Sequence, residues 1–381
     1  MIIGIDIRNI GKGRTGDEVV FFNLVKNLSR IDSKNEYRLL TDRDPKYDRS
    51  LDQEIKKLSL RNNFTVVNLG KRGINKFIWN FWTLPRFIRQ DPTDIYLTQY
   101  IVPFFIPREI RVITIIHDVS FRVYPKLIRL IDRLLLGILI PRSLRRADKI
   151  IGVSRFTKEE IQKYFSVPER KLDWIHNAVS DEILNYQASP EKEESVRKKY
   201  SLPEKFILYL GTMQPRKNLP LLIRSFSQLS KLFPEVKLVL AGGKSYHFDK
   251  NIETEIGNLG IENQVIFTGF IKEEDKPEIF RLAKIFCFPS LYEGFGIPIL
   301  EAFALGIPVV ASRIAPHLEI AGNAALLFEP RKGKSLFENM KRIIENEELA
   351  EELRTKGKKR LSDFSWEKTA KKMLEIFSSL Q

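Results

Sequence analysis

Short, almost unbroken apolar runs, each followed by a stretch with helical spacing, recur in two series along this sequence and constrain its fold more than any other feature. In the first series, residues 2–8, 37–41, 64–69, 95–98, 112–117 and 149–154 read as strands. A strand with one wet face alternates polar and apolar side chains. These do not, as expected of parallel strands covered on both faces. Between them, residues 17–28, 53–60, 76–88, 127–144 and 157–165 have helical spacing, which predicts a doubly wound α/β domain. The polar stretch 187–200, containing Ser189-Pro190-Glu191-Lys192-Glu193-Glu194, reads as a linker leading into a helical segment. The alternation then restarts, with strands at 206–210, 236–240, 265–268, 285–288, 309–311 and 325–328. Helical patterns occupy 220–233, 252–259, 277–282, 298–305 and 335–346. A length of 381 residues suits two such domains. They are placed at 1–185 and 186–365, with 366–381 expected to be a helix packing back on the first. Ligands of open α/β sheets bind outside the carboxyl ends of the strands, so two facing Rossmann-like sheets predict a cleft between domains.

Composition removes several function classes. Cys287 is the only cysteine, which excludes an intrachain disulfide and a cysteine-rich zinc site, and four scattered histidines make no metal cluster. The start Met1-Ile2-Ile3-Gly4-Ile5-Asp6 has no basic leader pattern, and the longest apolar stretch, 127–140, is broken by Arg129, Asp132 and Arg133. A reducing, cytoplasmic location is expected. Charge is uneven: residues 1–180 carry 33 Lys and Arg against 20 Asp and Glu, whereas the rest carry 30 against 28. A basic half points to an anionic partner: a phosphate-bearing acceptor, an acidic membrane face or nucleic acid. No helix-turn-helix, RNP or zinc-finger pattern accompanies the charge, so nucleic acid is the remote alternative.

The densest chemistry lies in Ser290-Leu291-Tyr292-Glu293-Gly294-Phe295-Gly296-Ile297-Pro298-Ile299-Leu300-Glu301-Ala302-Phe303. A strand ends at Pro289, a glycine-containing turn follows, Pro298 stands at the helix start and Gly306 just past its end. Such a turn presents backbone N–H groups at a helix N-terminus, where a diphosphate is favoured. Gly294 and Gly296 leave room beside the backbone. Glu293 and Glu301 are placed to accept hydrogen bonds from sugar or ribose hydroxyls. A second loop, Gly211-Thr212-Met213-Gln214-Pro215-Arg216-Lys217-Asn218, leaves the strand 206–210. Arg216 and Lys217 suit diphosphate oxygens, and Asn218 is read as a helix N-cap.

Together these segments resemble the large GT-B retaining glycosyltransferase family marked by Glu-x7-Glu (family 4, group 1), which includes bacterial mannosyltransferases. The resemblance extends through Gly306-Ile307-Pro308-Val309-Val310-Ala311-Ser312, Gly322-Asn323-Ala324-Ala325, His117-Asp118, Val153-Ser154-Arg155-Phe156-Thr157 and Ile175-His176-Asn177-Ala178-Val179. It implies a GT-B fold of two Rossmann-like domains facing across a cleft. It implies that Arg216 and Lys217 hold the donor diphosphate, that Glu301 binds the ribose and that Glu293 lies near the transferred sugar. Backbone groups around Gly294, Phe295 and Gly296 would meet that sugar, and His117 would face it from the first domain. Gly211, Phe270 and Ile271 would flank the nucleotide. The loop Gly11-Lys12-Gly13-Arg14-Thr15-Gly16 would close over the diphosphate through Gly16 or form the acceptor side through Gly13 and Arg14, with Asp118 nearby.

The implied partners are a nucleotide-sugar donor, GDP-mannose favoured, and a saccharide or lipid-linked acceptor in surface-polysaccharide assembly. No carboxylate pair occupies a metal-site position. The cationic pair and helix start are expected to supply the positive charge, with no metal or other cofactor. A GT-B phosphorylase or nucleotide-sugar epimerase is the alternative chemistry.

Two further features stand apart. His176-Asn177-Ala178 replaces the Pro-Asn-Gly of many family members, so that turn need not have a positive φ. Gly11–Gly16 has the Gly-x-Gly-x-x-Gly spacing of dinucleotide sites, without a well-placed acidic partner. Residues 72–89 and 126–146 are basic, aromatic- or leucine-rich amphipathic stretches. They are read either as helices packed on the sheet or as contacts with an anionic membrane at the inner face of the cell membrane.

Overall fold

A computed structural model describes residues 1–381 except 14, 15, 71, 72, 129, 245 and 246. Arg14, Arg72 and Arg129 therefore lie outside the described residues. The chain forms two compact units, Met1–Asn177 with Ser365–Gln381, and Ala178–Phe364.

Unit 1 is built on a parallel sheet of seven strands: β1 (Ile2–Asp6), β2 (Glu36–Thr41), β3 (Phe64–Asn68), β4 (Ile95–Gln99), β5 (Arg111–Ile116), β6 (Lys149–Gly152) and β7 (Leu172–Trp174). Their order is β3-β2-β1-β4-β5-β6-β7. Central strands β4 and β5 are buried almost throughout, whereas the edge strand β3 mixes buried and exposed positions. The near-continuous apolar runs are thus the strands covered on both faces. Strand β1 stops two residues earlier than its apolar run because the Asp6 carboxylate accepts hydrogen bonds from the backbone N–H and Nε of Arg8, turning the chain. β7, only three residues long, has too little pattern to be read from sequence. The predicted helix 76–88 is a composite: Lys76–Ile78, a π-helical turn Trp79–Thr83, then Leu84–Gln90.

The C-terminal helix Trp366–Ser378 packs on the helix Gly16–Ile31. Thr369 donates to the carbonyl of His176, and Lys372 lies 3.9 Å from the Trp174 ring centre and 3.0 Å from Asp173. The chain thus leaves unit 1 at Asn177 and re-enters it at Ser365. Ala178 has no positive φ, as its Cβ favours.

Unit 2 has six parallel strands: β8 (Lys205–Leu210), β9 (Val236–Ala241), β10 (Val265–Gly269), β11 (Ile285–Phe288), β12 (Val309–Ser312) and β13 (Leu326–Phe328), ordered β10-β9-β8-β11-β12-β13. It begins earlier than residue 186, because the short helix Asp181–Leu184 buries Ile183 and contacts the helix Ile297–Ala304. The polar stretch after it is anchored rather than a loose linker. Ser189 caps the helix Pro190–Tyr200 by accepting from the N–H of Lys192. Lys192, Lys199 and Tyr200 then converge on buried Asp275, just before the helix Lys276–Leu282. Burial opposes the Asp275 charge, but the two ammonium groups and the phenol outweigh it and hold its pKa at about 2.

Candidate active site

In the second sheet the chain winds outward in opposite directions from β8 and β11, so the topological switch point lies between them. The loops leaving these two strands meet there. The N–H of Leu291 donates to the carbonyl of Arg216 at 2.8 Å, and Asn218 Nδ2 donates to the carbonyls of Pro289 and Pro330. Asn218 does not cap the following helix as expected. Its backbone is left-handed (φ 58°), which directs the amide to the neighbouring loop instead.

At the centre is Glu293, buried in the turn after β11. One carboxylate oxygen accepts from Lys217 Nζ at 2.5 Å and Ser290 Oγ at 2.6 Å, and the other from Arg216 Nη1 at 3.2 Å. Arg216 also donates to the carbonyl of Tyr292. Burial works against the carboxylate charge, but Lys217, Arg216 and the Ser290 hydroxyl more than offset it, and the Glu293 pKa falls to about 2. Three donors thus hold one carboxylate ionised, and two of them are the cations expected to receive a diphosphate.

The helix Ile297–Ala304 starts three residues beyond Gly294. Its N-cap, Gly296, has φ 119°, a conformation that a side chain would strain. Pro298 sits in its first turn, and Gly306 ends it with an N–H donated to the carbonyl of Phe303. Beneath this start lies fully buried His317, its ring 5.2 Å from that of Phe288. Burial lowers its pKa to about 4, so the neutral ring donates through Nδ1 to the carbonyl of Ser312 at 2.9 Å. The Ser312 hydroxyl donates in turn to the carbonyl of Ser290. The ends of β11 and β12 are thereby fastened under the turn that carries Glu293.

Glu301, one turn into the helix, is buried and accepts from Lys276 Nζ at 2.8 Å. Lys276 lies 3.1 Å from Glu273 as well. Burial disfavours its charge, but both carboxylates raise its pKa above the usual lysine value. Phe270, after β10, is 69% exposed, whereas the Ile271 side chain is buried in the core and offers no ring-like surface. The backbones of Gly211 and Gly242 touch at the ends of β8 and β9: a Cβ on Gly242 would fall 2.1 Å from the Gly211 carbonyl oxygen. Phe295 is buried, its ring edge-on to Phe364 at 6.0 Å, which leaves only its backbone to face a ligand.

Unit 1 gathers its own polar groups at its strand ends. His117, following β5, meets Gln99 Oε1 through Nε2 at 2.9 Å, and its Nδ1 lies 3.8 Å from Asp17 in the first turn of the helix Gly16–Ile31. Tyr100, with a left-handed backbone (φ 53°), packs its ring 5.4 Å from the imidazole. Asp118 turns back to accept from the N–H of Ser120. Gly13 has φ 106°, and Gly16 opens the helix. Sequence reasoning missed Ser290, Lys276, Ser312 and His317 as partners of the site. Only Ser290, three residues before Glu293 in the same turn, had a spacing that could have signalled its hydrogen bond to that carboxylate.

Residues 191–360 match the sequence family described as glycosyl transferases group 1, and residues 14–183 match glycosyltransferase family 4. The chain is 33% identical over 240 residues to the serotype-specific mannosyltransferase WbdA of Escherichia coli, covering 62% of this chain and 29% of that protein. It therefore spans less than a third of that relative's length. It is 29% identical over 290 residues to the O-antigen chain mannosyltransferase B of Escherichia coli, covering 73% of each. Among solved structures, Anabaena HepE in complex with UDP-glucose is similar with a TM-score of 0.74 at 18% identity, covering 100% of both chains.

Proposed function

The chain belongs to the group 1, family 4 glycosyltransferases and has the GT-B fold, and from that premise we propose that it transfers a hexose, mannose favoured, from a nucleotide-diphosphate sugar to a saccharide or lipid-linked saccharide in surface-polysaccharide assembly. The transfer retains the anomeric configuration and needs no metal ion. The observation that carries this reading is the Arg216–Lys217–Glu293–Ser290 cluster at the switch point of the second sheet, beside a glycine-capped helix start. Mannose is favoured because both Escherichia coli relatives are mannosyltransferases, which makes GDP-mannose the first donor to test. HepE was solved with UDP-glucose, so UDP-sugars belong in the same panel.

In the proposed reaction the bond from the anomeric carbon to the diphosphate oxygen breaks while the acceptor oxygen bonds to that carbon on the same face. The charge developing on the leaving oxygen is met by Arg216, Lys217 and the N–H groups at the helix start. The acceptor proton passes to the leaving phosphate oxygen. Glu293 is assigned to positioning the sugar and the two cations. Held at a pKa of about 2 by three donors, it is a weak base and a weak nucleophile, which supports this role over a covalent sugar–Glu293 intermediate. Glu301, fixed by Lys276, is assigned to the ribose hydroxyls, exposed Phe270 to the base, and His117 to the sugar.

Thermal melts with a panel of GDP-, UDP- and dTDP-sugars test the reading. A donor at about 100 times its Kd stabilises by about 2.7 kcal/mol, and GDP-mannose is expected to rank first. If no nucleotide sugar shifts the melt, the donor site proposed here is wrong.

A further inference from the structure

Seventeen large hydrophobic side chains are exposed among the described residues, and nine of them fall in two helices and one loop of unit 1. On the helix Leu130–Arg146, Leu130, Ile131, Leu134, Leu135 and Ile138 repeat at the spacing of a single helical face, and Ile138 is 70% exposed. The same helix buries Ile140, Ser143 and Leu144 in unit 1, so its C-terminal half is the anchor and its apolar stripe faces outward. Exposed Arg145 lies seven residues beyond Ile138, on the same face. Residues 76–90 repeat the design: Trp79, Leu84 and Ile88 are buried, whereas Phe77, Ile78 and Trp82 are exposed, Trp82 by 75%. Lys76, Phe77, Leu135 and Leu139 line one groove, which makes the two faces neighbours. The loop between β4 and β5 adds Phe105, 62% exposed on a left-handed backbone (φ 59°). A bulky side chain held outward at a strained position costs stability and points to use.

Soluble monomers rarely leave so large an apolar patch uncovered. Charge selects the occupant. Among the described residues of 76–89 and 126–146, Lys76, Arg86, Arg89, Lys126, Arg133 and Arg145 are exposed, and Asp132 is the single acid. A second copy would set these like charges against each other, whereas an anionic bilayer complements them, with Trp82 suited to the headgroup boundary. We propose that unit 1 docks on an anionic lipid bilayer through this face. The stripe Leu130–Ile138, Phe77, Trp82 and Phe105 would enter the headgroup–acyl boundary, and the surrounding Lys and Arg would contact lipid phosphates. The proposal stands on unit 1 alone and does not depend on which sugar is transferred.

The test is flotation of the full chain with phosphatidylcholine vesicles, with and without phosphatidylglycerol, at physiological salt. Binding is expected only with the anionic lipid. L134E/I138E should weaken it at least about tenfold, and R86A/R133A about fivefold per cation removed. These positions are exposed, so circular dichroism should match the wild type. Nucleotide-sugar stabilisation, which reads unit 2, should be unchanged in both variants, so failure of lipid docking and failure of the donor reading are distinguishable. Protein left in solution with anionic vesicles, or L134E/I138E floating like the wild type, overturns the proposal. So does a dimer in sedimentation velocity that L134E/I138E disperses, since a second copy would then cover the face.

Discussion

Replacing Glu293 with glutamine removes the anion that holds Arg216 and Lys217 together. Its folded pKa is about 2 against an ordinary 4.5, so the ionised carboxylate stabilises the fold by roughly 3 kcal/mol. This figure is close to the 3–5 kcal/mol typical of breaking a buried ion pair by removing one partner. For a carboxylate with a depressed folded pKa, the contribution is present above the unfolded pKa and lost as pH falls through the folded one. The stability gap between wild type and Glu293→Gln should therefore be roughly 3 kcal/mol at pH 6 and shrink to less than about half of that at pH 3. Urea unfolding of both proteins across that range measures it. The uncompensated cations should also bind GDP or UDP more tightly than the wild type while turnover falls, because an incoming diphosphate replaces the lost anion. A gap that does not change with pH, or weaker diphosphate binding in the variant, would refute the account of Glu293.

Three other outcomes follow from the same geometry. Lys276→Ala leaves buried Glu301 without its ammonium partner and should cost about 3 kcal/mol in urea unfolding, with weaker binding of the nucleoside than of inorganic diphosphate. Gly242→Ala drives a Cβ to 2.1 Å from the Gly211 carbonyl. It should lower stability by about 2 kcal/mol or more, and thermal melts would show it. Transfer assayed in excess EDTA should match the untreated enzyme, because the cationic pair and helix start supply the charge; loss restored by magnesium or manganese would contradict this.

The fold was legible because strands such as β11 and β12 are buried at every position and their apolar runs are bounded by proline and glycine. The turn at Gly294–Gly296 was legible for the same reason, since Pro298 and Gly306 punctuate its helix whatever the tertiary context. Pairings set by packing were not legible. Lys276 and Glu301 are 25 residues apart, and no period links them. His317 is one residue of an ordinary helical stretch, and only the folded chain puts it under Gly296. Asn218 was misread because its local sequence favours a cap, and the loops after β11 and β13 each offered its amide a carbonyl instead, from Pro289 and Pro330. The outward face of Leu130–Ile138 was ambiguous in sequence, since an apolar stripe looks the same whether it meets a sheet or solvent.

The central claim is that a donor diphosphate binds where Arg216 and Lys217 meet the start of the helix Ile297–Ala304. Steady-state turnover of Arg216→Ala and Lys217→Ala with the best donor tests it most directly. Each should lose about 100-fold or more, as when one donor is removed from a charge-stabilising site. Turnover near the wild-type rate in both variants would contradict the account.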